Sequence, residues 1–279
     1  MANLQGTSRV LVNSAVLPQL VYAEIMPIHS RQLCSMNMKL RSIVLSLFLL
    51  FAALSHGETL KVGAYHYPPF MNEQTHSGIY MALSKAIAAQ GEFTFTWEYY
   101  PYARVNRLFD LGKLDIEIGS APSWNAHKSI PGLFTQSFYV LEDVSIYRKG
   151  ENKHAAKFED IKGQTIGIVR GYSFPQFHDV FEKKLAKRID GPNEAHLLNL
   201  LINERIDQVF MSRQVFYYLR SQNPKLSALA IGDVVGQYPV AIRVHPSKAN
   251  VISKLNSAIK QLKSSGDITH LFLAPYSAP

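Results

Sequence analysis

Strand-like and helix-like segments alternate along this chain, and the alternation runs twice. Residues 60–65 (LKVGAY) alternate in polarity and run into the turn Tyr67-Pro68-Pro69-Phe70. Residues 79–90 carry helical spacing that stops at Gly91. Residues 93–99 (FTFTWEY) alternate aromatic with polar, a second strand. Residues 102–111 read as a helix closed by Gly112, and 114–118 (LDIEI) as a third strand. The order β-α-β-α-β favours a largely parallel sheet covered by helices. After Tyr147 the pattern restarts, with 148–151 as a polar link. Strands are expected at 165–169, 206–211 and 238–244, and helices from about Phe174, at 194–202 and at 215–220. Ser173 is the expected N-cap of the first of these helices, and Pro175 suits its first turn. The 238–244 strand should return to the first unit, and Ile252, Leu255, Ile259 and Leu262 stripe a last helix. The expected architecture is α/β and two-lobed. Residues 58–147 and 236–279 form lobe one, and residues 148–235 form lobe two. Two crossings imply a cleft where a small ligand binds near strand carboxyl ends and helix amino ends. Hinge bending is the expected motion.

Upstream of this pattern, residues 43–54 (IVLSLFLLFAAL) form the one long apolar run. Lys39 and Arg41 precede it, and Ser55-His56-Gly57 follow it. A basic flank, a dozen apolar residues and small residues near the cut describe a secretory signal peptide over 36–57, cleaved after Gly57. The run falls short of the ~20 residues a membrane span needs. Residues 1–35 fit no export pattern and are read as an upstream extension, with the true start at Met36 or Met38. The only cysteine, Cys34, lies in that stretch. From residue 58 onward, disulfides, thiol catalysis and cysteine metal sites are excluded. The net charge of +8 is spread without a dense Lys/Arg block, so nucleic acid is not an expected partner. An exported protein with a preference for anionic or aromatic small-molecule ligands fits this balance.

Several stretches taken in order resemble the bacterial extracellular solute-binding protein family 3. They are Tyr67-Pro68-Pro69-Phe70, Gly112-Lys113-Leu114-Asp115, Phe134-Thr135-Gln136-Ser137-Phe138-Tyr139, residues 158–168 (FEDIKGQTIGI), Asn203-Glu204-Arg205-Ile206-Asp207 and Ser265-Gly266-Asp267-Ile268. The resemblance covers nearly all of 58–279. It implies the type II periplasmic-binding-protein fold and a monomeric, periplasmic receptor that hands its solute to an ABC permease or a signalling partner. It also implies that the aromatic at Tyr67 stacks on the ligand; a lobe-one core ring is the other reading.

The resemblance implies two charged anchors for an amino-acid ligand, and both are changed here. The carboxylate-holding Arg falls at His127 or Lys128, depending on the end from which one counts. The ammonium-holding Asp, five residues after Asp207, is Ser212. A hydroxyl does not offset the burial of an ammonium, so an ordinary α-amino acid is disfavoured unless another acid enters the cleft. Glu117 interrupts an apolar strand and is either that acid or an edge or solvent-facing residue. The remaining candidates suggest an anionic or aromatic ligand. Arg104, in Tyr100-Pro101-Tyr102-Ala103-Arg104, resembles an element of family members without the clamp. It either binds a carboxylate or anchors an acid within lobe one. Arg170-Gly171-Tyr172-Ser173 offers backbone N–H groups and a hydroxyl to an anion. Ser120 and Trp124 lie in the loop that the resemblance gives to ligand contacts. Trp124 there stacks on a ring or fills the cleft.

No Gly-x-Ser-x-Gly, His-Glu-x-x-His, P-loop or dinucleotide fingerprint is present, and no cofactor is expected. The fold family includes periplasmic dehydratases acting on cyclic acids. Such an enzyme, with Glu117 or His127 as its proton donor, is the alternative to a binding protein.

Overall fold

The computed structural model describes residues 57–90 and 92–273 of the chain. The expected upstream extension, the signal peptide up to residue 56, Cys34 and the Gly91 stop lie outside these. The first half runs β1 (Glu58–Ala64), α1 (Ile79–Ala88), β2 (Phe93–Tyr99), α2 (Tyr102–Asp110), β3 (Ile116–Ser120), the short α3 (Pro122–Asn125) and β4 (Leu133–Phe134). It continues through β5 (Tyr139–Arg148), β6 (Thr165–Val169), α4 (His178–Glu182), β7 (Lys187–Gly191), α5 (Glu194–Ile202), β8 (Gln208–Ser212) and α6 (Arg213–Gln222). The chain then forms β9 (Leu229–Val244), α7 (Ile252–Ser264) and α8 (Asp267–Leu273).

The strands are ordered β2-β1-β3-β9-β5-β8-β6-β7, with β4 beside β9. β1 runs parallel to β2 and β3, and β6 runs parallel to β7 and β8. β9 is antiparallel to every strand it touches. One lobe is thus built on β1, β2 and β3, the other on β6, β7 and β8. The apolar stripe of α1 (Ile79, Tyr80, Leu83, Ile87) covers the first sheet, together with Leu255 and Ile259 of α7. Ile161, Ile166, Ile168, Phe177 and Phe210 fill one side of the second. Asn193 caps α5 by accepting the His196 N–H at 2.9 Å.

β9 is a single 16-residue strand that passes from one sheet to the other. Its Tyr238 is opposite Leu141 of β5, and its Ile242 is opposite Ile118 of β3. The second connection is the chain from β4 into β5. It stays bonded to β9 through Thr135 and Phe138, whose N–H groups donate to Ile242 and Val240 at 3.1 and 2.9 Å. β5 pairs with β8 from Asp143 to Ile146. β9 pairs with β5 between Leu229 and Val240, with register shifts around Val144.

Two expectations differ. No helix starts at Phe174: Ser173 caps nothing, a 3-10 turn occupies Pro175–Phe177, and α4 begins at His178 with five residues. β7 (KRIDG), β5 and the first half of β9 were not expected from the sequence pattern.

Candidate functional site

Side chains from both lobes meet around a cavity of about 20 Å³ lined by Tyr65, Tyr67, Tyr102, Trp124, Asp143 and Tyr172, with Gly119, Ser173 and Phe174 completing the wall. The end of β1 delivers Tyr65 and Tyr67, and the first turn of α2 delivers Tyr102. From the other lobe, Tyr172 follows the turn after β6. Its ring stands edge-on to Tyr102 at 5.0 Å, to Tyr67 at 6.2 Å and to Tyr65 at 6.3 Å. Trp124 of α3 packs on Tyr238 of β9 at 4.9 Å. Gly171 has φ +94°, and a Cβ there would come within 3.2 Å of the Tyr102 ring. Glycine satisfies both the left-handed turn and this close approach. A groove of about 570 Å³ adjoins the cavity, shares Tyr65, Tyr102 and Tyr172 with it, and adds Glu73, Tyr99, Tyr100, Arg104, Arg170 and Glu194.

Asp143 and Glu194 give the site its charge. Asp143 is 6% exposed and lines the cavity. Burial, then Glu194 and Glu142, push its carboxyl up to about 7. Glu194, at the start of α5, is equally buried and accepts the Tyr172 hydroxyl at 2.9 Å. Burial raises its pKa too, against its backbone and Tyr172 hydrogen bonds. Among the described residues, no basic side chain acts on either acid. Burial also holds Tyr65, Tyr67 and Tyr172 well above the usual phenol range, so the cage is neutral hydroxyls and π faces.

The candidate residues divide into three groups. Tyr67, Trp124, Tyr172 and Ser173 line the cavity. Tyr67 also stacks on Phe70 at 5.2 Å, so it serves core and cavity together. Arg104 and Arg170 line the outer groove and are exposed, Arg104 lying over the Tyr100 ring at 4.7 Å. The remaining four do not line either space. Ser120 is buried and accepts Asn125 Nδ2 at 2.9 Å. Ser212 donates to Gln214 at 3.0 Å. His127 is exposed and stacks on His178 at 5.9 Å. Lys128 donates to Asn106 and sits 5.7 Å from the Tyr102 ring centre. Burial pulls its ammonium down to about 8, against the upward pull of Glu117.

Glu117 is neither an edge residue nor a free acid. It is 3% exposed and bonds at 3.2 Å to Arg243, which is fully buried. Arg243 also donates to the Ile130 and Pro131 carbonyls and stacks 3.8 Å above Phe109. The acid absent from position 212 stands one strand away, because Asp143 is the cross-strand partner of Ser212. No linear spacing signals that pairing. Arg104 and Arg170, the expected anion holders, line the outer groove, whereas the inner cavity is lined by an acid, Asp143. The backbone N–H groups after Gly171 are also unavailable as a helix terminus, since α4 starts only at His178 and the Tyr172 N–H already bonds Val169.

A two-lobed sheet with a strand-paired hinge and a cleft cage defines a solute-binding protein of the type II periplasmic class. The model of the bacterial extracellular solute-binding proteins, family 3, matches residues 60–273, and the chain belongs to that family. Solved structures share the fold. A histidine kinase sensor domain with similarity to periplasmic binding proteins aligns at TM-score 0.67 and 18% identity, covering 78% of this chain and 96% of its own. The amino acid ABC transporter substrate-binding protein AbpA from Streptococcus pneumoniae, bound to L-arginine, aligns at 0.61 and 18%, covering 76% and 92%. The ancestral amino acid-binding protein AncCDT-1, a precursor of cyclohexadienyl dehydratase, aligns at 0.62 and 20%, covering 77% and 93%. No curated protein sequence matches the chain. Among the described residues, no helix is long and apolar enough to cross a membrane, and no His/Cys/Asp/Glu group could hold a metal.

Proposed function

We propose that the chain is exported, cut after Gly57, and acts in the periplasm as a monomeric receptor. Its lobes close on a small solute and present it to a membrane partner, an ABC permease. The observation that carries this reading is the layer of tyrosines contributed by both lobes around one small cavity. The cavity has room for little more than a water-sized group, so a ligand enters with the lobes apart and is enclosed when they meet. The β4–β5 and β9 connections are the two strands that bend. Mass spectrometry of the protein from the periplasmic fraction should find Glu58 as its first residue. An intact 1–57 segment there would remove the export step. Small-angle scattering should show compaction when a solute raises the melting temperature. A stabilising solute that leaves the shape unchanged would count against lobe closure.

A dehydratase-like enzyme is the second reading, favoured by one observation. The Asp143 carboxyl, pushed up to about 7, is partly protonated near neutral pH at the cavity wall, as suits a general acid. Glu117, paired with Arg243, and His127, outside the cavity, do not fit that role. Product formation from a cyclic hydroxy acid, lost in Asp143→Asn, would establish this reading over the first.

A further inference from the structure

We propose that the cavity takes the protonated primary amine of a small organic cation, with Asp143 as its counter-ion and the tyrosine cage as its walls. The inference rests on the receptor reading above and names its ligand class.

Charge comes first. Asp143 accepts no hydrogen bond and meets no basic side chain among the described residues, although it is 6% exposed. A buried carboxylate without a partner is costly, and a ligand cation removes that cost on binding. Glu194 adds a second buried acid, whose partner is the neutral Tyr172 hydroxyl. Arg243 is committed to Glu117, Lys128 to Asn106 and Arg213 to Glu142, while Arg104 and Arg170 line the outer groove and not the cavity.

The walls agree with the charge. Tyr65, Tyr67, Tyr102 and Tyr172 lie with ring centres 4.8–6.3 Å apart around the cavity, and Trp124 closes one side. Aromatic faces attract a cation, and the phenol oxygens can accept from its N–H groups.

Size then selects the head group. A cavity of about 20 Å³ admits one water-sized group, which fits an ammonium and not a trimethylammonium. Three N–H donors can serve a carboxylate and phenol oxygens at once. The organic substituent continues into the adjoining groove of about 570 Å³, past Glu194 and Tyr99.

The test is calorimetry, thermal shift and small-angle scattering on the mature periplasmic protein at pH 8. The probes are n-butylamine, 1,4-diaminobutane, tetramethylammonium, glutarate and benzoate. The two primary amines should bind, with tetramethylammonium at least tenfold weaker. Asp143→Asn should weaken amine binding at least tenfold, and Glu194→Gln by severalfold. Asp143→Asn should also melt higher than the parent protein without ligand, which separates lost binding from lost folding. Amine affinity should rise between pH 5.5 and 8 as Asp143 ionises. The other groups facing Asp143 are Glu142 beside it on β5, Glu194 of α5, Tyr67 of the first turn and Tyr238 of β9. Binding and compaction with glutarate or benzoate but not with amines would overturn the inference and leave the receptor reading standing. Amine binding unchanged in Asp143→Asn would also overturn it. No binding and no compaction with any probe would overturn both.

Discussion

Glu117 and Arg243 show how a buried charge is made tolerable in this chain. The guanidinium reaches Glu117, two loop carbonyls and the face of Phe109, so nearly every polar edge is used. Glu117→Gln should cost about 3–5 kcal/mol of stability, because it removes the buried counter-charge of Arg243 and leaves only the more exposed Asp110, at 3.9 Å. Replacing both, as Glu117→Leu with Arg243→Met, should cost clearly less than the two single changes added together. Urea denaturation of the three variants measures this, and additive losses would refute the coupling. The sequence shows Glu117 as an interruption in an apolar strand, yet its partner lies 126 residues further on. The same limit hid Asp143. Chain counting finds the missing acid at Ser212, and only the β5–β8 register reveals the carboxylate opposite it. The structure places Tyr67, pointed to by the family resemblance, and Tyr172, pointed to by its place after a strand end, on the cavity wall.

At the level of elements, the hinge is a strand ribbon braced by the last helix. Phe272 of α8 is 3% exposed and stacks on Tyr139, the first residue of β5, at 3.8 Å and 12°. It also approaches Phe138 and Tyr80. Phe272→Ala should lose about 3–5 kcal/mol and loosen the start of β5. Amide hydrogen exchange should quicken at residues 138–141 and 240–242 while β6 and β7 keep their protection. Uniform acceleration over both lobes would mean that α8 supports the whole fold and not the hinge. The elements that the sequence made legible are those with a single period: β2, β6 and α5 stand where alternation or helical spacing put them. β9 hid its first half because Gly232, Asp233 and Gly236 break the alternation there. Those glycines answer to packing, since a Cβ at Gly232 would meet Ser145 Oγ at 2.5 Å and one at Gly236 the Tyr238 ring at 2.3 Å. β7 was missed because four of its five residues are not fully buried, so no hydrophobic pattern marks it.

For the molecule as a whole, closing the lobes sets binding against stability, and pH exposes the conflict. Asp143 is pushed up to about 7 in the folded protein, against about 3.9 in an unfolded chain. Between these values the folded state holds a proton that the unfolded state has released. Stability without ligand should therefore fall as pH rises from about 4 to 7 and level off above it. One such proton changes stability by at most about 1.4 kcal/mol per pH unit. For a chain of this size that corresponds to roughly 3–6 °C in melting temperature per unit. Glu194, also raised by burial, tilts the profile the same way. Glu142 opposes them, since hydrogen bonds from Gln237 and Arg213 outweigh its burial and lower it, but its effect lies at more acid pH. Lys128, pulled down to about 8, acts between 8 and the usual lysine range, where it adds stability as pH rises. Thermal unfolding from pH 4.5 to 8 should thus slope downward in the parent protein and flatten in Asp143→Asn. A profile that rises with pH, or one that Asp143→Asn leaves unchanged, would mean that the closed cleft does not strand this carboxylate. With a saturating primary amine the slope should shrink, because the ligand supplies the counter-charge that the lobes lack.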